Sequence, residues 1–288
     1  MPTIPQRIAG LDLDPEVART LLQVSRDDTA RLATLPHLAP LFPALGAALG
    51  HDPESIAGFR AAWLLLYAAI SRLDHLQDND PMEHPLPAVG AVGAQYNLVL
   101  AMYVLANSLL DELASAVPAS RLIRLYRLWN DLVLRMAHGQ QRDLQLGTTA
   151  LSGGAADLDA YQQIAQDKTG ATFALAFGGT AILLTDDAAT IATLTAVGES
   201  YGTLIQYGDD LRDAAQQPTH AATLPAVLRR LPHFADPSQQ HLHAFWSYAL
   251  TTSVAAVQER LAEHPARMQT HISALFTQVF ELPTRPSP

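Results

Sequence analysis

An all-α fold is predicted for this 288-residue chain by three features of its sequence. Apolar residues recur at helical spacing in long blocks, Pro and Gly clusters punctuate those blocks, and β-branched alternation bounded by hairpin turns is essentially absent. Apolar residues make up 49% and charged residues only 16%, so a large buried core is expected. The spacing predicts helices over Pro15–Ala33, Leu38–Gly50, Pro53–Asp78, Ala88–Ala116, Ala119–Gly147, Leu158–Thr185, Asp187–Ala214, Leu224–Leu231 and His241–Leu261 or beyond. Several exceed 20 residues and are mostly apolar, as the wrapped central helices of a bundle are. The breakers at Asn79–Pro87, Gly147–Ala156 and Gln216–His220 are too short for domain linkers, so residues 1–288 read as one domain. Residues 282–288 read as a frayed tail.

Composition excludes several classes. With 28 Asp plus Glu against 18 Lys plus Arg, the formal charge is −10, a poor match to a phosphate backbone, so no nucleic-acid partner is expected. The absence of Cys excludes disulfides, thiolate metal sites and a cysteine nucleophile, which suits a cytoplasmic enzyme. The first residues lack the layout of a signal peptide. The longest uncharged apolar run, Ala171–Leu184, is too short to span a bilayer, so no transmembrane segment is expected. Seventeen of the 18 basic residues are Arg, and Lys168 is the only lysine. Codon bias accounts for most of this and makes Lys168 an exception to follow.

Two acidic clusters each end a long apolar helix. In the first, Asp74 and Asp78 lie one helical turn apart; in the second, Asp209-Asp210 is followed one turn on by Asp213. Like charges at that spacing repel, so something must compensate. Mg²⁺ suits, because it takes one or two carboxylates plus water and phosphate oxygens. A solvated acidic face is the plainer reading of any single pair. Asp27-Asp28 and Asp186-Asp187, which lack a partner one turn on, read as surface.

These residues resemble the trans-isoprenyl diphosphate synthase (polyprenyl synthetase) family. Its second aspartate motif stands intact as Gly202, Gln206, Asp209, Asp210 and Asp213. Its first is Asp74-His75-Leu76-Gln77-Asp78, with His in the second position. Gly139-Gln140-Gln141-Arg142-Asp143-Leu144, Lys168-Thr169-Gly170 and Thr223-Leu224-Pro225 match three further segments. The resemblance runs from about Leu38 to Leu231. It implies a large helix bundle of the isoprenyl diphosphate synthase type around a central cavity, and a homodimer. Asp74, Asp78, Asp209, Asp210 and Asp213 would hold magnesium, three ions with substrate bound. Asp74, Asp78, Asp209 and Lys168 would be catalytic, with Lys168 gripping an allylic diphosphate. Thr169, Gln206 and Gln140 inherit substrate-binding roles. Ala69 and Ile70 would face the hydrocarbon tail, where the small Ala69 leaves room for a substrate of about C15 to C25.

The departures matter as much. At the family's second substrate site, for isopentenyl diphosphate, the lysine and arginine of one segment become Pro36 and Ala39, and a helix histidine becomes Tyr67. An Arg-Arg-Gly reads Glu83-His84-Pro85, and the lysine before the Thr-Leu-Pro segment becomes Ala221. Each lost charge-assisted bond removes about 1.5–3 kcal/mol, so that site should be weakened by orders of magnitude. The expected reaction is ionisation of an allylic diphosphate followed by cyclisation, deprotonation or water capture, similar to that of terpene synthases. A chain-elongating synthase with a rebuilt second site and a non-catalytic partner subunit are the alternatives.

Smaller signals keep two readings each. His75 has a hydrogen-bonding or basic role, or is a neutral replacement. Arg72 and Arg142 either replace lost cations at the diphosphate or form structural ion pairs. Tyr67, Phe173, Phe177 and Tyr207 either line the cavity, Phe173 as a substrate contact, or pack the core.

Overall fold

The computed structural model describes residues 4–78, 92–148, 152–213, 223–231 and 239–280. No strand occurs among the described residues. The described residues form two compact units, one within 1–46 and 51–124, the other within 47–50 and 125–288.

The first unit begins with the short helix α1 (Ile4–Ala9), which the periodicity did not predict, followed by α2 (Pro15–Leu32). Helix α2 starts where Asp14 accepts hydrogen bonds from the Glu16 and Val17 N–H groups, with Pro15 in the first turn. After α3 (Leu41–Leu49), a single turn of 3₁₀ helix at Pro53–Ile56, started by Asp52, leads into α4 (Ala57–Asp78). Helix α4 packs against α2 and against α5 (Val92–Asp111), which ends in another 3₁₀ turn, Glu112–Ser115. The apolar stretch that precedes the first acidic pair supplies this unit's core: Phe59, Trp63, Leu65 and Leu66 are fully buried. Phe42 packs edge-on against Phe59 and Trp63, with ring centroids 6.2 and 5.5 Å apart.

By length and apolar composition alone, Pro53–Asp78 and Gly93–Ser115 are able to cross a bilayer. The longest uncharged run did not reveal them, because a helix tolerates one or two charges per span. In α4 those apolar side chains are the packed core just described.

The second unit contains most of α6 (Ala119–Thr148), then α7 (Ala155–Ala165), a π turn at Gln166–Gly170, and α8 (Ala171–Leu184). It continues with α9 (Ala188–Asp213), α10 (Leu224–Leu228), α11 (Gln239–Leu261) and α12 (Ala266–Phe280). Helix α9 is the hub, packing against α7, the π turn, α8, α10 and α11. Helix α8 is buried on every side from Ala171 to Leu183, which its uniformly apolar sequence requires. Around Tyr201 of α9 gather Phe173, Phe177, Phe276 and Phe280, with centroids 5.1–5.6 Å away.

The sequence predicts one helix from Leu158 to Thr185, whereas the structure interrupts it with the π turn. Glycines on two other helices make room for it. A Cβ on Gly139 of α6 would sit 2.6 Å from the Lys168 N and 2.7 Å from the Asp167 carbonyl carbon. A Cβ on Gly202 of α9 would meet the Gly170 Cα at 2.9 Å. Only glycines let the backbone of the turn come this close from two directions.

Candidate active site

The chemistry-bearing residues of the second unit collect around the π turn. Its extra residue lets consecutive side chains reach different helices, a common arrangement at functional sites. Lys168 donates from Nζ to Asp143 Oδ2 on α6 at 2.8 Å. Thr169 donates its hydroxyl to Gln206 Oε1 on α9. Asp167, buried, accepts from Arg135 Nε at 2.6 Å and from Gln163 Nε2 at 3.1 Å, with Arg142 Nη1 3.6 Å from its other oxygen. Arg135 also reaches Glu199 Oε2 at 2.5 Å, tying α6 to α9 through one guanidinium. Three cations and three carboxylates thus balance around the turn, which offsets the cost of removing them from water.

Glu199, Gly202, Gln206, Asp209, Asp210 and Asp213 follow one another along α9, mostly at three- and four-residue steps. Asp209 Oδ1 accepts from Arg212 Nη1 at 2.6 Å near the surface. Asp213 closes the helix, and its side chain lies outside the described residues. Asp210 is only 7% exposed. It accepts from the Tyr161 hydroxyl at 2.7 Å and the Leu224 N–H at 2.8 Å, and from Gln206 Nε2 at 2.8 Å. Burial pushes its carboxyl up to about 6, against those hydrogen bonds, which pull it down. Burial and Asp210 together hold the Tyr161 hydroxyl well above its ordinary range, so it remains a donor.

In the first unit, Asp74 and Asp78 are half-buried at the end of α4. His75 donates from Nδ1 to the Ser71 carbonyl at 2.7 Å, one turn back on its own helix. Each motif offers carboxylate oxygens, donors of the kind that suit a hard cation such as Mg²⁺. Among the described residues no three His, Asp or Glu side chains gather closely enough to hold a metal unaided, so water and substrate oxygens would complete its shell. A second fit is Gln140, whose amide N and O are both buried without a hydrogen-bond partner among the described residues. An unmet donor and acceptor on one buried group suits a polar ligand.

Several expectations need correction. Arg72 does not stand ready for a diphosphate: it is buried, with Nε and Nη2 on the two carboxylate oxygens of Asp28. Asp28, expected at the surface, is 4% exposed, whereas Asp187 is exposed as expected. Phe173 is fully buried against Tyr201, the core-packing alternative of its two readings. Ala69 is buried too, and Ile70 is partly exposed. Arg142 takes the structural alternative, beside Asp167. Glu83, His84, Pro85 and Ala221 lie outside the described residues. Tyr161, Arg135 and Glu199 were not singled out from sequence. The three- and four-residue rhythm from Glu199 to Asp213, and that of Arg135, Gly139 and Asp143, was the signal available.

Residues 62–222 match the sequence model of the polyprenyl synthetase family, and the chain belongs to that family. A nonaprenyl diphosphate synthase of Mycobacterium tuberculosis is 26% identical over 190 residues, covering 65% of this chain and 54% of that protein. The chain thus spans about half the length of this curated relative. Among solved structures, a geranylgeranyl pyrophosphate synthetase from Geoglobus acetivorans superposes with a TM-score of 0.70 at 18% identity, covering 97% of this chain and 95% of its own. A geranyltransferase from Helicobacter pylori, solved with magnesium and isoprenyl diphosphate, gives 0.75 at 16%, with 96% and 94% covered. At these identities the likeness establishes the fold.

Proposed function

We propose that this chain binds an allylic prenyl diphosphate, of about C15 to C25, and catalyses its ionisation. The observation that carries this reading is the π turn, which aims Lys168 and Thr169 at α6 and α9, while the Gln140 amide, close to Asp143 in sequence, is buried with no hydrogen-bond partner among the described residues. Lys168 is the cation for the leaving diphosphate, and Asp143 keeps its ammonium charged and oriented. Magnesium held by Asp74, Asp78 and Asp209, with Asp213 beside Asp209 in the motif, supplies Lewis-acid neutralisation of that leaving group when bound. Asp210, with its oxygens turned to Tyr161, Leu224 and Gln206, serves the motif as a support.

The fate of the cation follows from the second substrate site. Pro36 and Ala39, in a described turn, and Tyr67, packed on Trp63 at 5.2 Å, offer no cation where the family has lysine, arginine and histidine. The reading we favour is therefore cyclisation, proton loss or water capture. Chain elongation is the second reading, favoured by the names of the relatives, which are prenyl-chain synthases. Incubation with Mg²⁺ and C10 to C25 allylic diphosphates, with and without isopentenyl diphosphate, separates them. Hydrocarbon or alcohol from the allylic substrate alone supports the first. Longer diphosphates that require isopentenyl diphosphate establish the second. Turnover that needs another chain would point to a partner subunit.

A further inference from the structure

The three hydrogen bonds to Asp210 divide unevenly between its oxygens. Oδ2 accepts from both the Tyr161 hydroxyl and the Leu224 N–H, whereas Oδ1 accepts from Gln206 Nε2 alone. Gln206 turns its amino group towards Asp210 Oδ1, at 2.8 Å. Its carbonyl then faces Thr169, and the Thr169 hydroxyl hydrogen is drawn inwards to that carbonyl. The orientations along the chain follow from Asp210 accepting on both of its oxygens.

We propose that Asp210 is a positioning residue which, through Gln206, fixes the polarity of Thr169: the hydroxyl offers a substrate its lone pairs and withholds its hydrogen. A hydroxyl so fixed cannot donate to a diphosphate oxygen, and that task falls to Lys168. It instead presents electron density, which favours the electron-poor carbon that ionisation creates. Tyr161 and the Leu224 N–H hold the carboxylate in the rotamer that makes this possible. The inference rests on the reaction proposed above only for its effect on rate.

Asp210→Asn inverts the relay without changing its volume. Two donors converge on the Oδ2 position, so the carbonyl of the substituted side chain must occupy it and the new amino group must face Gln206. Gln206 then flips, donates to Thr169 and frees the Thr169 hydrogen. Adding Gln206→Glu restores the original sense, because a carboxylate at position 206 accepts both from that new amino group and from Thr169.

The test compares wild type, Asp210→Asn and the Asp210→Asn/Gln206→Glu pair at pH 8, by melting temperature, by steady-state kinetics on an allylic diphosphate, and by magnesium titration of rate. The single variant is expected to lose about tenfold or more in kcat with the half-saturating Mg²⁺ concentration unchanged within about twofold. The double variant is expected to regain most of both the rate and the melting temperature. Should the single variant fail to fold, the double variant still folds and turns over. The proposal is overturned if Asp210→Asn raises the Mg²⁺ requirement tenfold and recovers its rate at saturating Mg²⁺, which is the behaviour of a lost metal ligand. It is equally overturned if the double variant is no better than the single one in melting temperature and rate. If wild type turns over no allylic diphosphate, the proposed reaction fails, while the melting comparison still decides the relay.

Discussion

Lys168 on the π turn and Asp143 on α6 form an ion pair with Nζ and Oδ2 2.8 Å apart, both side chains about a fifth exposed. The pairing gives the single lysine of the chain a fixed position and a compensated charge. Arginine, which supplies the other 17 basic residues of this sequence, would bring a planar fork in place of a compact ammonium. Position 168 is thus where codon bias yields to chemistry.

Replacing Lys168 with Ala should abolish most turnover and leave the fold in place. A charge-assisted bond to a phosphate oxygen contributes about 1.5–3 kcal/mol, which corresponds to roughly a 10- to 150-fold loss in kcat/KM for each bond lost. Because the pair is partly exposed, the melting temperature should move by only a few degrees. A large melting shift with unchanged kcat/KM would show that Lys168 is structural.

Gly139→Ala should be destabilising out of proportion to one methyl group. The added carbon would stand 2.6 Å from the Lys168 N and 2.7 Å from the Asp167 carbonyl carbon, main-chain atoms that cannot rotate away. Overpacking of this kind costs about 1–3 kcal/mol. Gly147→Ala is the control, since among the described residues nothing stands within 4 Å of its Cβ and alanine is the better helix former. Chemical denaturation of both variants reads the difference directly, and equal midpoints would mean that the turn is not clamped.

Arg72→Ala should unfold the protein at a markedly lower temperature, because it leaves the buried Asp28 carboxylate uncompensated. Removing one partner of a buried pair costs about 3–5 kcal/mol, and replacing both partners by apolar residues costs much less. Melting curves of Arg72→Met, Asp28→Leu and the double variant test this. Additive losses would deny the coupling.

What the sequence makes legible follows from the range of its causes. The ends of α2 and α4 were close to expectation because Asp14, Pro15 and the periodicity of the apolar residues act within a few positions. The Asp209–Asp213 motif was legible for the same reason. The π turn was not, because the glycines that make room for it, Gly139 and Gly202, sit about 30 residues away on either side and act through space. Asp28 was misread as surface because its partner is 44 residues further on. Tyr161 escaped notice because a tyrosine on an apolar helix face looks like core, and only the fold reveals Asp210 under its hydroxyl.

Helix α9, which carries the second aspartate motif, begins on an exposed Asp187 whose Oδ2 accepts from the Thr190 hydroxyl at 2.5 Å and the Thr190 N–H at 3.0 Å. Oδ1 accepts from the Ala189 N–H at 3.3 Å. These bonds, the Thr190 hydroxyl foremost, hold the Asp187 carboxyl below its ordinary 3.8. A carboxyl lowered in the folded state adds stability that is fully present above the unfolded value and is lost as pH falls through the folded one. Asp187→Asn keeps a capping oxygen and removes the titration. Wild type should therefore melt above the variant at pH 6 and above, and the gap should close as pH drops below about 4. A gap constant from pH 7 to pH 3 would show that the cap works without its charge.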